Sequence, residues 1–240
     1  HPVDQNGDGY TDLALQKRFS LFQKMAIELP NGRQASLAAR YFYEDRWGGQ
    51  MQWSKPFRGS DSIYGESIYT NRLELIGNYP LPVTEDLQFS WSYNYHHQDS
   101  WYGKVPYVAT QQIGFGQLLW NKPLRKHDLL AGLATRFTFY DDNSPATMDS
   151  SGTLNRPDKV LLPGIFVQDE WKLTEKHTLL TGLRADHHPD HGLIFTPRLA
   201  YKWNLGNAGV FRFNAGTGFR VVNLFTEEHA ALTGSRQVVV

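Results

Sequence analysis

The sequence predicts an all-β chain, an antiparallel transmembrane β-barrel meander of about ten strands, and three observations carry that prediction. Hydrophobicity alternates with a period of two along long segments. Connections alternate between short turns and long polar loops, and aromatic residues gather near strand ends.

Strands are expected at about 17–29, 34–46, 65–79, 85–98, 107–120, 127–140, 160–173, 177–187, 193–205 and 209–219. Most exceed the roughly 5–6 residues of an ordinary soluble strand. They meet the about 9–11 residues that a tilted membrane strand requires. In the fourth, Leu87, Phe89, Trp91, Tyr93 and Tyr95 share one face, against Gln88, Ser90, Ser92, Asn94 and His96. In the sixth, Leu133, Phe137 and Phe139 oppose Gly132, Arg136 and Thr138. The last two repeat the pattern, with Leu199, Tyr201 and Trp203 and then Phe211 and Phe213 on the apolar side.

Short turns are expected at Pro30-Asn31-Gly32-Arg33, Pro80-Leu81-Pro82-Val83, Asn121-Lys122-Pro123-Leu124, Thr174-Glu175-Lys176 and Gly206-Asn207-Ala208. Asn-Gly marks a tight hairpin because both residues tolerate positive φ. Long polar loops are expected at about 47–64, 98–106 and 141–159. Short turns on one side and long loops on the other fit a membrane barrel, with Trp91, Tyr95, Trp120, Tyr140, Trp171 and Trp203 as interfacial girdles. A soluble sandwich would show the same alternation, with the apolar face as its core.

Composition narrows the function classes. Twenty-four basic and twenty-four acidic residues cancel, which removes the argument for a nucleic-acid partner. No cysteine is present, so disulfides, thiolate metal sites and cysteine nucleophiles are excluded. No apolar run approaches the roughly 20 residues of a membrane helix. His1-Pro2-Val3-Asp4 has neither a charged n-region nor an apolar h-region, so an exported precursor is expected to begin upstream.

The sharpest local motif lies at the start, in residues 1–16, which are expected to form an extracellular loop. Asp4, Asn6, Asp8, Tyr10 and Asp12 stand at positions 1, 3, 5, 7 and 9 of a calcium loop, with Gly9 at the sharp turn. Alternate residues in a tight turn converge the hard oxygens that Ca²⁺ requires. The bidentate Glu expected at position 12 is Leu15, so a last ligand would come from elsewhere. The alternative is an acidic, glycine-rich surface loop that binds nothing.

Two histidine groups follow. His187-His188-Pro189-Asp190-His191 is expected at a strand–loop junction and His96-His97 at a strand end. Imidazoles there suit contact with a metal chelate, and a solvated His-Pro turn is the competing reading. Neighbouring histidines on a strand point to opposite faces, so His96 and His97 cannot share an ion. Trp47, Trp53, Trp101, Tyr102 and Tyr107 are placed at loop tips, where they would stack on a ligand or anchor the loops. Arg72, Glu74, Arg136, Arg184, Arg198, Lys202 and Arg212 would line a wet lumen. Enzymatic signals are poor: there is no G-x-S-x-G elbow, and Gly114-Phe115-Gly116 lacks a third glycine and a following helix.

The C-terminal third carries a resemblance. Residues 164–173, 179–186, Thr196-Pro197-Arg198-Leu199-Ala200 and Phe213-Asn214-Ala215-Gly216-Thr217-Gly218-Phe219-Arg220 resemble barrel strands of TonB-dependent receptors, as does Asn223-Leu224-Phe225-Thr226-Glu227-Glu228. The segments 43–50 and 64–72 are similar to receptors of this family from Bacteroidetes-type bacteria. The resemblance implies a central fragment of a 22-stranded outer-membrane barrel lacking the family's N-terminal plug. It implies import of an iron–siderophore, another metal chelate or a corrinoid such as cobalamin. The partners implied are outer-membrane lipid, the energy-coupling TonB complex and a surface lipoprotein. Arg220 is followed by Val221-Val222 where many members carry Ala-Pro, which argues against a haem receptor. Two rivals remain: a closed ten-stranded outer-membrane enzyme, which requires the first and last strands to pair, and a passive porin.

Overall fold

The computed structural model describes residues 1–30 and 32–221. The strands are β1 (Leu15–Glu28), β2 (Gln34–Gly49), β3 (Gly65–Pro80), β4 (Asp86–Tyr102), β5 (Val105–Leu124), β6 (His127–Asp142), β7 (Asp158–Lys172), β8 (His177–His188), β9 (Gly192–Asn204) and β10 (Val210–Gly216). Helical structure among the described residues is limited to three single 3-10 turns, and no helix there is long and apolar enough to cross a membrane. The strands form one antiparallel sheet in chain order. At 20 residues, β5 would extend roughly 65 Å, more than a tilted bilayer crossing needs. The surplus raises the strand ends above the membrane.

Within the sheet β1 pairs with β2 and β10 with β9, and β1 and β10 do not meet. A closed ten-stranded barrel is thereby ruled out, and with it the surface-enzyme rival that required that pairing.

Register divides the sheet into two faces. Leu133 faces Ile165, Val167 faces Leu183, and Ala185 faces Phe195, so aliphatic positions line up across β6 to β9. On this face Leu21, Leu133, Ile165, Phe195 and Phe213 are 50–60% exposed. A soluble sandwich would bury these side chains, whereas among the described residues the buried apolar cluster consists of Tyr107, Ala109 and Tyr140. The exposed aliphatic face is the lipid face, and the opposite face, with its arginines and carboxylates, is the lumen wall. The short turns mark the periplasmic side and the longer loops the extracellular side.

Outer-face rings form the periplasmic girdle. His127 stacks on Trp171 at 5.3 Å between ring centroids, and His177 on Trp203 at 5.7 Å. The imidazole Nδ1 atoms are held by Asp169 Oδ2 at 2.7 Å and by the Tyr201 hydroxyl at 2.6 Å. Tyr140 departs from the girdle expectation. It lies on the lumen face, 3% exposed, with its hydroxyl 2.9 Å from that of Tyr107 and donating to Asp142.

The second departure concerns the loop expected at 98–106. There β4 and β5 continue to Tyr102 and Val105 and are joined by Gly103-Lys104 alone. Gly103 has φ of 58°, the left-handed conformation that a two-residue hairpin of the Gly-X kind demands. Polar Gln98, Asp99 and Ser100 suggest a loop, but they are strand residues whose polar groups bond to neighbouring parts of the fold. Smaller shifts occur at β10, which ends at Gly216 rather than near 219. The expected turn residue Asn31 and the motif at 223–228 lie outside the described residues.

Candidate functional site

The side chains that border the barrel interior lie on the lumen wall and the extracellular rim. Along β1 to β4 the wall is internally neutralised. Arg18 pairs with Glu44, Arg40 with Glu74 at 3.6 Å, and Arg72 with Glu74 at 2.7 Å, while Asn94 adds a hydrogen bond to the same carboxylate. Along β6 to β10 the balance changes. Arg184 grips the fully buried Asp186 through two hydrogen bonds of 2.7 and 2.6 Å. Arg136, Arg198, Lys202 and Arg212 have no ion-pair partner among the described residues. Arg136, Arg184 and Arg220 line a lumen hollow of about 520 Å³ with Phe115, Leu162 and Phe219. The chemistry of this wall is that of a wet, cationic surface.

Two loops at the rim fold to opposite sides. Residues 50–64 lie against the outer face. Arg58 donates to Ser67 Oγ at 2.8 Å and Asp99 Oδ1 at 2.8 Å, and its guanidinium sits 4.4 Å from the Tyr69 ring centroid and 5.8 Å from Trp101. Trp53, 5% exposed, stacks on Trp47 at 4.9 Å and covers Gly65, where any Cβ would run into the indole. Asp45 holds Lys55 at 3.3 Å and raises its ammonium pKa. Tyr64 is pushed up to about 12, chiefly by burial and then by its hydrogen bond to Glu66.

Residues 143–157 lie against the lumen face instead. Asp142 Oδ1 accepts from Ser144 Oγ at 2.8 Å and Thr147 Oγ1 at 3.0 Å, and the fully buried Thr147 also donates to the Asp142 carbonyl at 2.7 Å. Asn143 ties the loop to β5 through the Val108 amide and the Pro106 carbonyl. Asp149 accepts from Ser151 and from the Thr153 and Leu154 amides; the Ser151 hydroxyl first, then these amides, lower its pKa.

The sequence-selected residues separate between these regions. Trp47, Trp53 and Trp101 belong to the outer-face loop packing, while Tyr102 follows the lumen alternation of β4. His96 lies mid-strand on the lumen face opposite Arg72 and Gln111, not at a strand end, and His97 takes the outer face with Nδ1 2.9 Å from Thr110 Oγ1. His188 is 3% exposed and stacks on His191 at 4.6 Å, whereas His187 is on the opposite face. Near the start, Asp4 accepts from the Gly7 and Gly9 amides at 2.7 and 2.9 Å, Asp8 from the Tyr10 amide and Asp12 from the Gln5 amide. Asn6 Oδ1 accepts from the Asp8 amide. The turn is docked on the rim by Thr11 to Gly49 and Met51 to Gly9 backbone bonds, and β1 begins at Leu15, two residues before the expected strand start at 17. Sequence reasoning missed Arg58, Asp142, Thr147 and Asp186. Of these only Asp186 had a visible signal, the same-face spacing of two from Arg184.

Comparison with known proteins meets this geometry directly. Residues 3–228 match the family described as TonB dependent receptor-like, beta-barrel. The chain belongs to this family. It is 39% identical over 225 residues to the iron-regulated outer membrane virulence protein of Vibrio cholerae serotype O1, which covers 92% of the chain and 32% of that protein. Among solved structures, the siderophore receptor PirA of Pseudomonas aeruginosa aligns with a TM-score of 0.63 at 15% identity, over 88% of the chain and 35% of the receptor. A variant of the ferric enterobactin receptor PfeA from the same organism gives 0.60 at 13% identity, over 86% of the chain and 34% of that receptor. The chain therefore spans about a third of the length of the relatives it matches. As a family member it is a stretch of Gram-negative outer-membrane barrel wall. The segments 43–50 and 64–72 are expected to resemble receptors from Bacteroidetes-type bacteria; the relative described above comes from Vibrio cholerae.

Proposed function

We propose that this chain forms part of the wall and mouth of a TonB-dependent importer of iron chelates, with an iron–siderophore complex as cargo. The observation that carries this reading is the 39% identity, over nearly the whole chain, to a protein named for iron regulation. The wet, arginine-bearing lumen wall and the likeness to two siderophore receptors support it. The mechanism is capture at the rim followed by passage along the lumen, driven by the TonB complex, with no covalent step. His96, Tyr102 and His191 are proposed as the cargo-facing members of the sequence-selected set, with the buried His188 stacked against His191 as its support. Outer-membrane lipid is the partner of the opposite face, and a surface lipoprotein is a proposed partner at the rim. The test is growth of a deletion strain on defined iron and corrinoid sources. Receptor-dependent growth on a ferric siderophore is expected; dependence on a corrinoid alone would reassign the cargo, and no dependence on any source ends the import reading.

We also propose that the Asp4–Asp12 turn takes a structural Ca²⁺ through Asp4, Asn6, Asp8, the Tyr10 carbonyl and Asp12. Its support is the oxygen spacing together with the inward turn of Asp4, which three amides already hold in place. Calorimetric titration of the full-length receptor should show one site that Asp4→Ala and Asp8→Ala abolish. Unchanged affinity in both variants removes it.

A further inference from the structure

We infer that the lipid face between β5 and β8 holds one anionic glycerophospholipid of the periplasmic leaflet, its acyl chain in a defined groove and its phosphate on the β5–β6 turn. The groove encloses about 400 Å³, and Leu118, Trp120, Leu133, Ile165 and Val167 form its walls around the short side chain of Ala131. Ala131 faces Trp120 on one side and Val167 on the other, so a small residue is flanked by large ones across three strands. That notch makes the groove a place for one chain rather than a uniformly greasy surface.

The charge around its periplasmic end selects the headgroup. Four residues separate Ala131 from His127, about 13 Å along the strand, which is the depth between an upper acyl chain and its phosphate. At that level lie Arg125 and Lys126 at the turn tip, both exposed and without side-chain partners among the described residues. The neighbouring outward acids are occupied. Glu85 is held by Lys122 at 2.9 Å and by Trp120 Nε1 at 3.2 Å, and Asp169 by His127 at 2.7 Å. Lys176 offsets the remaining Glu175 on the β7–β8 turn. The free charge beside the groove is thus positive, which favours a phosphatidylglycerol headgroup over the zwitterionic phosphatidylethanolamine, whose ammonium finds no free acceptor there. Lipopolysaccharide is excluded by the side of the membrane, because these turns are the short, periplasmic ones.

The experiment is native mass spectrometry of the delipidated full-length receptor titrated with phosphatidylglycerol or phosphatidylethanolamine. Each cation close to an anionic headgroup contributes about fivefold in binding. One phosphatidylglycerol should bind roughly tenfold or more tightly than phosphatidylethanolamine. R125Q/K126Q should remove that preference, and A131F should weaken both lipids by obstructing the groove. Folding of each variant is checked by heat-modifiable gel mobility, and K126Q alone reads the same preference if the double variant does not fold. Equal affinity of the unaltered receptor for the two lipids, a preference that survives in K126Q and the double variant, or an A131F that binds normally would each overturn the site. None of these readouts depends on the cargo.

Discussion

The two large extracellular loops are built from similar material and go opposite ways. Residues 50–64 are pinned to the outside of the sheet by one cation, Arg58, spanning Ser67, Asp99 and two aromatic rings. Residues 143–157 are pinned to the inside by one anion, Asp142, which gathers Tyr140, Ser144 and Thr147. Strand alternation supplies both anchors, since Ser67, Asp99 and Trp101 follow the lipid-side parity and Tyr107, Tyr140 and Asp142 the lumen parity. Above the bilayer that parity no longer sorts lipid from water. It sorts which loop a residue holds, and only the inner loop borders the lumen.

The comparison breaks if the loops loosen together. The largest effect is expected from Asp142→Ala, which removes the carboxylate that accepts from three buried hydroxyls and costs on the order of 3 kcal/mol locally. Hydrogen exchange in 143–157 should then speed up about a hundredfold while 50–64 keeps its protection. Acceleration in both loops would show that they open as one unit. Arg58→Ala makes the reciprocal test, with about 1–2 kcal/mol lost from hydrogen bonds and ring contacts. Limited proteolysis should cut within 50–64 and spare 143–157, and receptor-dependent growth on the chelate should be affected less than by loosening the inner loop.

A finer cut is Tyr140→Phe, which removes only the hydroxyl between Tyr107 and Asp142. About 1 kcal/mol is expected, seen as a several-fold rise in exchange confined to the inner loop. The smallest effect is a pH dependence. Because hydrogen bonds in the folded loop lower the Asp149 pKa, its contribution is present above the ordinary carboxylate pKa and fades as pH falls through the lowered folded value. A dye attached at position 150 should gain motion below about pH 4, and Asp149→Asn should already show that motion at neutral pH. A pH-independent signal would mean that Asp149 does not hold the hairpin tip.

The strands were legible in the sequence because lipid on one side and water on the other impose a strict period of two. Expected boundaries for β2, β3 and β6 differ from the observed ones by at most three residues. The polar lining from Arg72 to Arg212 follows from the same alternation. Legibility fails where the strands leave the membrane. Asp99 and Ser100 look like loop residues because the sequence shows their polarity but not Arg58, 41 residues away, that bonds to Asp99. Tyr140 looks like a girdle ring from its residue type and its place near a strand end, although it shares the polar-face parity of Arg136 and Thr138.

By itself the sequence determined that this is a membrane barrel wall, its number of strands and which residues face lipid in the bilayer. Those properties are local, since each residue meets one of two solvents in alternation. Only the tertiary structure decided that β1 and β10 do not pair with each other, that one rim loop lies outside and the other inside, and that Asp186 and Asp142 are buried among donors. These depend on contacts between residues far apart in the chain, where packing and hydrogen-bond satisfaction, rather than periodicity, select the arrangement.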